Sequence, residues 1–159
     1  MITYAEVLEL FDYKNGELYW KTSKGSAKSG KKAGCLDGKG YIQVKINTRS
    51  YKIHQLIFFI KYGYIPKEID HINGIRNDNR IENLRAVTTS QNQQNSKIGK
   101  NNTSGYKNVT WDYLVKKWRV QINIKGKNKY LGVFEDLELA DLVAQEARNK
   151  YHGEFACHK

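Results

Sequence analysis

The chain has 159 residues, 40% of them hydrophobic, with a single Pro and a formal net charge of +11 from 27 Lys/Arg against 16 Asp/Glu. This composition excludes wholesale disorder, and no apolar run approaches the roughly 18 residues of a bilayer span, so a helical membrane protein is excluded too. The basic balance favours a polyanionic partner, and the length suits one ordinary domain or two small ones.

Taken in chain order, "YAEVLELF" (4–11) places apolar residues at helical spacing, and "DYKNGELYW" follows with an Asn15-Gly16 hairpin turn. Residues 21–40 are rich in Lys, Gly and Ser and are expected to form a mobile basic loop. "GYIQVKI" alternates, with Ile42, Val44 and Ile46 on one face, and a turn near residues 47–50 leads into "YKI" as a second hairpin. "HQLIFFIKYG" is dense enough for a buried helix ended by Gly63. "EIDHING" is expected to be a short strand entering a turn at Gly74, and "TTSQNQQNSKI" to start a helix near Thr89 or Ser90. "GKNNTSG" (99–105) has the composition of a linker.

Beyond it, Trp118, Val120, Ile122 and Ile124 alternate with Arg119, Gln121, Asn123 and Lys125, which predicts a half-buried strand, a turn and a partner strand. "DLELADLVAQEARNKY" then reads as an amphipathic helix whose inner stripe is Leu139, Leu142, Val143, Ala147 and Tyr151. The fold class is therefore α+β, with modules at 1–98 and 106–159 joined by a linker at 99–105. Cys35 and Cys157 lie far apart without partners at metal spacing, which argues for a reducing compartment and against structural zinc. The first residues lack a secretory signal pattern, so a cytoplasmic location is expected.

Charge is concentrated. Residues 21–52 hold nine Lys/Arg against Asp37, and residues 106–130 hold seven against Asp112, while 131–159 is net acidic. A single lysine run is ordinarily a solvated face; two in strand-like sequence point to phosphate binding. Amid this charge lies "IDHINGIRNDNRIENL" (69–84), where an Asp70-His71 step meets a run of asparagines. The pair alone reads as a salt-linked turn. With Asn83 and Asn92 further along a strand-loop-helix pattern, a catalytic constellation becomes the better reading.

On the ordered motifs "NGELYW", "GYIQVKI", "YKIHQLIF", "IDHINGIRNDNRIENLR" and "TTSQNQQN", residues from about 4 to 97 resemble a phage-type HNH endonuclease, whose active core is a ββα-metal unit. The resemblance implies His71 as general base, Asp70 and Asn92 as ligands of one divalent cation, Mg²⁺ or Mn²⁺, and Asn83 as a brace that fixes the loop and the orientation of His71. Asn92 stands where the family's name leads one to expect His. His54 matches a histidine the family often carries, and reads either as a buried structural histidine or as an accessory to the site. Arg76, Arg80 and Arg85 flank the site as phosphate clamps or as solvated side chains.

Residues 104–156, through "KWRVQI", "KYLGVF" and "HGEFA", resemble an AP2-type DNA-binding domain: a three-stranded antiparallel sheet, packed on one helix, that lies in the major groove. Arg119, Gln121 and Asn123 would read base edges, with Lys107 and Tyr130 adding contacts, and Thr110 stands where related domains carry a further arginine. Together the two resemblances imply a metal-dependent, site-preferring endonuclease of homing type, acting on double-stranded DNA, with no membrane partner or small-molecule cofactor. The alternative is a DNA-binding regulator with a degenerate nuclease site; an RNA-binding protein is a more distant third. No coiled-coil or symmetric-interface signal is visible, so a monomer is expected.

Overall fold

The computed structural model describes residues 2–23 and 25–158. The fold is mixed α/β, with four α-helices and four small antiparallel sheets among the described residues. The chain divides into two compact units, Met1–Val87 and Thr88–Lys159. No described helix is long and apolar enough to cross a membrane.

In the first unit, helix α1 (Tyr4–Leu10) begins at a capping box in which Glu6 N donates to Thr3 Oγ1 (3.2 Å) and Thr3 N donates to the Glu6 carboxylate (2.7 Å). Phe11 already belongs to the first strand: β1 (Phe11–Lys14) and β2 (Glu17–Trp20) form the expected hairpin, with Asn15 and Gly16 both at positive φ. Strands β3 (Cys35–Leu36), β4 (Ile42–Ile46) and β5 (Arg49–Lys52) make a second sheet, and α2 (Ile53–Tyr62) follows β5 directly. Gly63 ends α2 in the left-handed region, its N–H returning to Phe59 O at 2.8 Å. Val7, Phe11, Leu18, Val44, Ile46, Ile53, Leu56, Ile57, Phe58 and Leu84 form one buried cluster, so α2 is the buried helix its apolar density predicts.

The basic 21–40 segment departs from expectation; Lys24 lies outside the described residues. Trp20 N donates to Lys31 O (3.0 Å), Gly30 N to Trp20 O (2.7 Å) and Ala33 N to Leu18 O (2.7 Å), so the segment folds back along β2. Ala33 is buried, and Lys32 pairs with Glu17. A chain whose backbone groups are satisfied by a neighbouring strand is no longer a free loop. A third, two-stranded sheet pairs β6 (Glu68–His71) with β7 (Leu84–Val87).

In the second unit, α3 (Thr89–Gln94) is held by a capping box between Thr88 and Gln91. The segment expected to be a linker is built into this unit. Asn102 Nδ2 donates to Tyr106 O (2.9 Å), Gly105 N donates to Asn102 Oδ1 (2.8 Å), and the buried Ser104 hydroxyl donates to Val109 O (2.8 Å). Asn and Ser side chains that bond backbone in this way make fixed turns. Strands β8 (Val109–Asp112), β9 (Lys117–Ile124) and β10 (Lys127–Phe134) form the expected antiparallel sheet, with β9 in the centre and helix α4 (Leu137–His152) packed on it.

The buried stripe of α4 is Ala140, Ala144, Ala147, Arg148 and His152; Leu139 and Leu142, expected inside, are exposed. Alanines allow the helix to pack on the sheet, and Arg148, on the same stripe, is fully buried. Its Nη1 donates to Lys107 O at 2.6 Å and its guanidinium pairs with Asp141 at 3.6 Å.

Candidate active site

The site grows from the β6–β7 pair. Antiparallel register sets Asp70 opposite Arg85 and His71 opposite Leu84. Arg85 reaches Asp70 with Nε at 2.9 Å and Nη2 at 2.8 Å, both on Oδ2, and Asp70 is buried. His71 is buried as well, and its Nε2 lies 3.0 Å from Asn79 Oδ1. The Asn79 amide nitrogen faces Asn77 O at 3.4 Å, which fixes which end of the carboxamide meets the ring. An oxygen partner makes Nε2 the protonated nitrogen and leaves the basic lone pair of the neutral ring on Nδ1.

The role foreseen for Asn83 thus divides between two residues. Asn83 braces the loop: its Oδ1 accepts from Asn73 N (3.0 Å), and its Nδ2 donates to Asn73 Oδ1 (3.0 Å) and Asp78 O (2.8 Å). It is Asn79, one of the loop's run of asparagines, that touches His71, and at 1% exposure it is the most buried polar residue of the loop. Nothing in a run of exposed-looking carboxamides singles out the buried one. The hairpin turn supports it from below: a Cβ on Gly16 would come within 2.8 Å of Arg80 N and 3.1 Å of Asn79 C, and Ile81 N donates to Tyr13 Oη at 3.2 Å. The early Asn15-Gly16 turn therefore seats the loop that carries Asn79.

His54, near the start of α2, is buried, and its ring meets that of His71 edge to face at 5.0 Å between centroids. Its Nδ1 has no hydrogen-bond partner among the described residues. Burial first, then the charges of His71 and Lys52, push its pKa down to about 3, so it is neutral at physiological pH. Burial also lowers the pKa of His71, against the raising effects of Asn79 and Asp70, which keeps the ring neutral and able to accept a proton.

The three flanking arginines separate. Arg85 is committed to Asp70. Arg80 forms a two-point pair with Asp78 (Nε–Oδ1 and Nη2–Oδ2, both 2.8 Å), and that guanidinium holds the Asp78 carboxyl well below its ordinary range. Arg76 is exposed, donates through Nη1 to Lys39 O (2.8 Å), and lies over the Tyr41 ring. Asn92, the fourth residue of the constellation, sits on α3 in the second unit.

Among the residues expected to read DNA, Lys107 is half-buried and donates to Gln94 O (2.8 Å) and Ser96 O, so it braces its own unit and is withdrawn from solvent. Arg119 is paired with the buried carboxylate of Asp112. Asn123 is exposed, but bonds Gly126 N and Asn128 across the β9–β10 turn, both at 3.0 Å. Gln121 is half-buried opposite the exposed Tyr130 on the outer face.

A family model described as HNH endonuclease matches residues 51–94, from the end of β5 through α3. Protein 3.8 of Escherichia phage T7 is 36% identical over 98 residues, which is 59% of this chain and 78% of the phage protein. The chain belongs to the family of that phage protein, and residues 51–94 are an HNH endonuclease domain. The domain points to a hydrolase acting on DNA, and encloses Asp70, His71, Asn79 and Asn83. No solved structure gave a significant match.

HNH nucleases generally use a divalent metal ion. No group of three or more His, Cys, Asp or Glu able to hold a metal exists among the described residues, so an all-protein cage is absent there. Mg²⁺ does not need one, because it keeps several waters and binds through one or two carboxylates plus substrate phosphate. Asp70 fits that requirement in kind: it is a hard, buried carboxylate within the HNH domain.

Proposed function

We propose that the chain is a metal-dependent, site-preferring DNA endonuclease of homing type in which His71 is the general base. One observation carries this reading: a buried, neutral imidazole, held through Nε2 by Asn79, stands beside a buried aspartate within the HNH domain. Nδ1 of His71 takes the proton from a water as that water attacks phosphorus, a step for which general-base catalysis supplies about 10²–10⁴-fold. Asp70 would be a hard oxygen donor for one Mg²⁺ or Mn²⁺, as Asn92 would by the family resemblance, and the ion would supply positive charge to offset the negative charge developing on the phosphate and the departing 3′-oxygen. Asn83 keeps the loop closed so that Asn79 stays against the ring.

The second unit supplies register. Its sheet presents Gln121, Asn123, Tyr130 and Arg119 outward, in the manner of an AP2-like domain in a major groove, whereas Lys107 serves as an internal brace. The Arg119–Asp112 pair must open, or be read as a unit, for Arg119 to reach a base.

One observation favours the second reading, a DNA-binding regulator with a degenerate site: Arg85 already neutralises Asp70. Supercoiled plasmid incubated with the full chain and Mg²⁺ or Mn²⁺, beside His71→Ala, separates the two. Nicking or linearisation lost in His71→Ala supports the enzyme; intact plasmid that is nevertheless retarded in a gel establishes the regulator.

A further inference from the structure

Two loops of the first unit meet at Tyr41. Residues 37–41 form a tight turn in which Asp37 Oδ1 accepts from Lys39 N and Tyr41 N, both at 2.8 Å. Its ring carries two cations: Lys52 Nζ lies 3.6 Å from the ring centroid and Arg76 Cζ lies 5.1 Å from it. Arg76 belongs to the loop after β6, and its bond to Lys39 O ties that loop to the 37–41 turn. The same ring stands 6.0 Å from His71 and 5.4 Å from His54, centroid to centroid. Two cations and two neutral imidazoles thus gather around one tyrosine, with Asp37 lying 3.5 Å from Lys52.

Asp37 at 3.5 Å offsets only part of the charge of two cations on one ring, so a further anion is favoured there, and the aromatic face holds the cations in place. Arg80 and Arg85 meet Asp78 and Asp70 at 2.8 Å, whereas Lys52 reaches Asp37 only at 3.5 Å and Arg76 bonds a carbonyl, with no carboxylate against its guanidinium in the contacts above. From these contacts we infer that Lys52 and Arg76, mounted on Tyr41, form a phosphate clamp that seats the DNA backbone beside His71. The clamp rests on the reading of His71 as the catalytic base and extends it to substrate seating. Lys52 is a point charge and Arg76 a planar fork, a combination suited to neighbouring phosphates of one strand. Tyr41 is a positioning residue: it contributes its ring face and needs no hydroxyl.

The test uses the full chain and a labelled DNA duplex. Binding is followed against salt concentration in Ca²⁺, and cleavage at saturating enzyme in Mg²⁺. Losing a phosphate contact lowers the slope of log affinity against log salt by about one. The clamp predicts that drop for Lys52→Gln and for Arg76→Gln, about two for the pair together, with single-turnover cleavage at saturation changed far less than half-saturation. Tyr41→Phe should bind as the parent does, while Tyr41→Leu should weaken binding several-fold. Lys61→Gln, a cation on the far turn of α2, is the control and should leave the slope unchanged.

Unaltered slopes in Lys52→Gln and Arg76→Gln overturn the clamp, as does an equal drop in Lys61→Gln. Should Lys52→Gln fold poorly, Tyr41→Phe against Tyr41→Leu decides alone: equal losses refute the ring's role. If the parent chain never cuts but the slopes fall as described, the clamp stands as a DNA contact and the nuclease reading fails by itself.

Discussion

Replacing Asn83 by alanine removes three hydrogen bonds, to Asn73 N, Asn73 Oδ1 and Asp78 O, from a side chain that is 7% exposed. At about 1 kcal/mol net for each bond, with an added cost for any partner left buried, the first unit should lose about 3 kcal/mol. The damage spreads functionally, because the 73–79 loop that Asn83 closes carries Asn79 to His71. Asn83→Ala should therefore lose cleavage even where the protein remains folded, while Asn83→Asp, which keeps the acceptor, should lose less. Urea titration read by hydrogen exchange in β6 and β7 measures the stability of this unit apart from the other, and plasmid nicking in low urea measures activity. A stability loss below about 1 kcal/mol, with nicking at parental rate, would refute the bracing argument.

Asn79→Leu should lower kcat with little change in KM, since it frees the His71 ring without touching substrate; an unchanged kcat would leave His71 oriented by something else. The lowered pKa of His71 sets the pH profile: cleavage should hold steady through pH 6.5 and fall only further into acid, where the ring gains its proton. His54, with a folded pKa near 3 against about 6.5 unfolded, makes the unfolded chain bind more protons over that interval, so stability falls as pH drops through it. Compared with His54→Gln, the parent should lose about 2 kcal/mol more by about pH 5, read by the same exchange experiment. Arg148→Met, by deleting a fully buried guanidinium and orphaning Lys107 O, should destabilise the second unit by about 3 kcal/mol or more in thermal unfolding; a neutral result would mean the packed methionine replaces the network.

The sequence by itself determined what short-range physics controls. Asn-Gly can hardly avoid a hairpin, alternation at Ile42–Ile46 and at Trp118–Ile124 sets the sheet faces, and the apolar density of α2 buries it. Asp70-His71 in a strand followed by an asparagine loop falls inside the matched HNH domain. Only tertiary structure decided which polar groups are spent on each other, because pairing depends on the three-dimensional approach of residues whose sequence surroundings look alike. Arg80 and Arg85 read as equals of Arg76 until Asp78 and Asp70 are found against them, and Lys107 reads as a surface cation until two carbonyls close on its ammonium. The inner stripe of α4 followed the same logic: leucines score as buried by hydropathy, yet packing on β9 selects alanine, with Arg148 on the same stripe. Asn79 is the sharpest case, since a carboxamide in a turn and a carboxamide holding the His71 imidazole are the same letter, and burial beneath the Gly16 hairpin is what separates them.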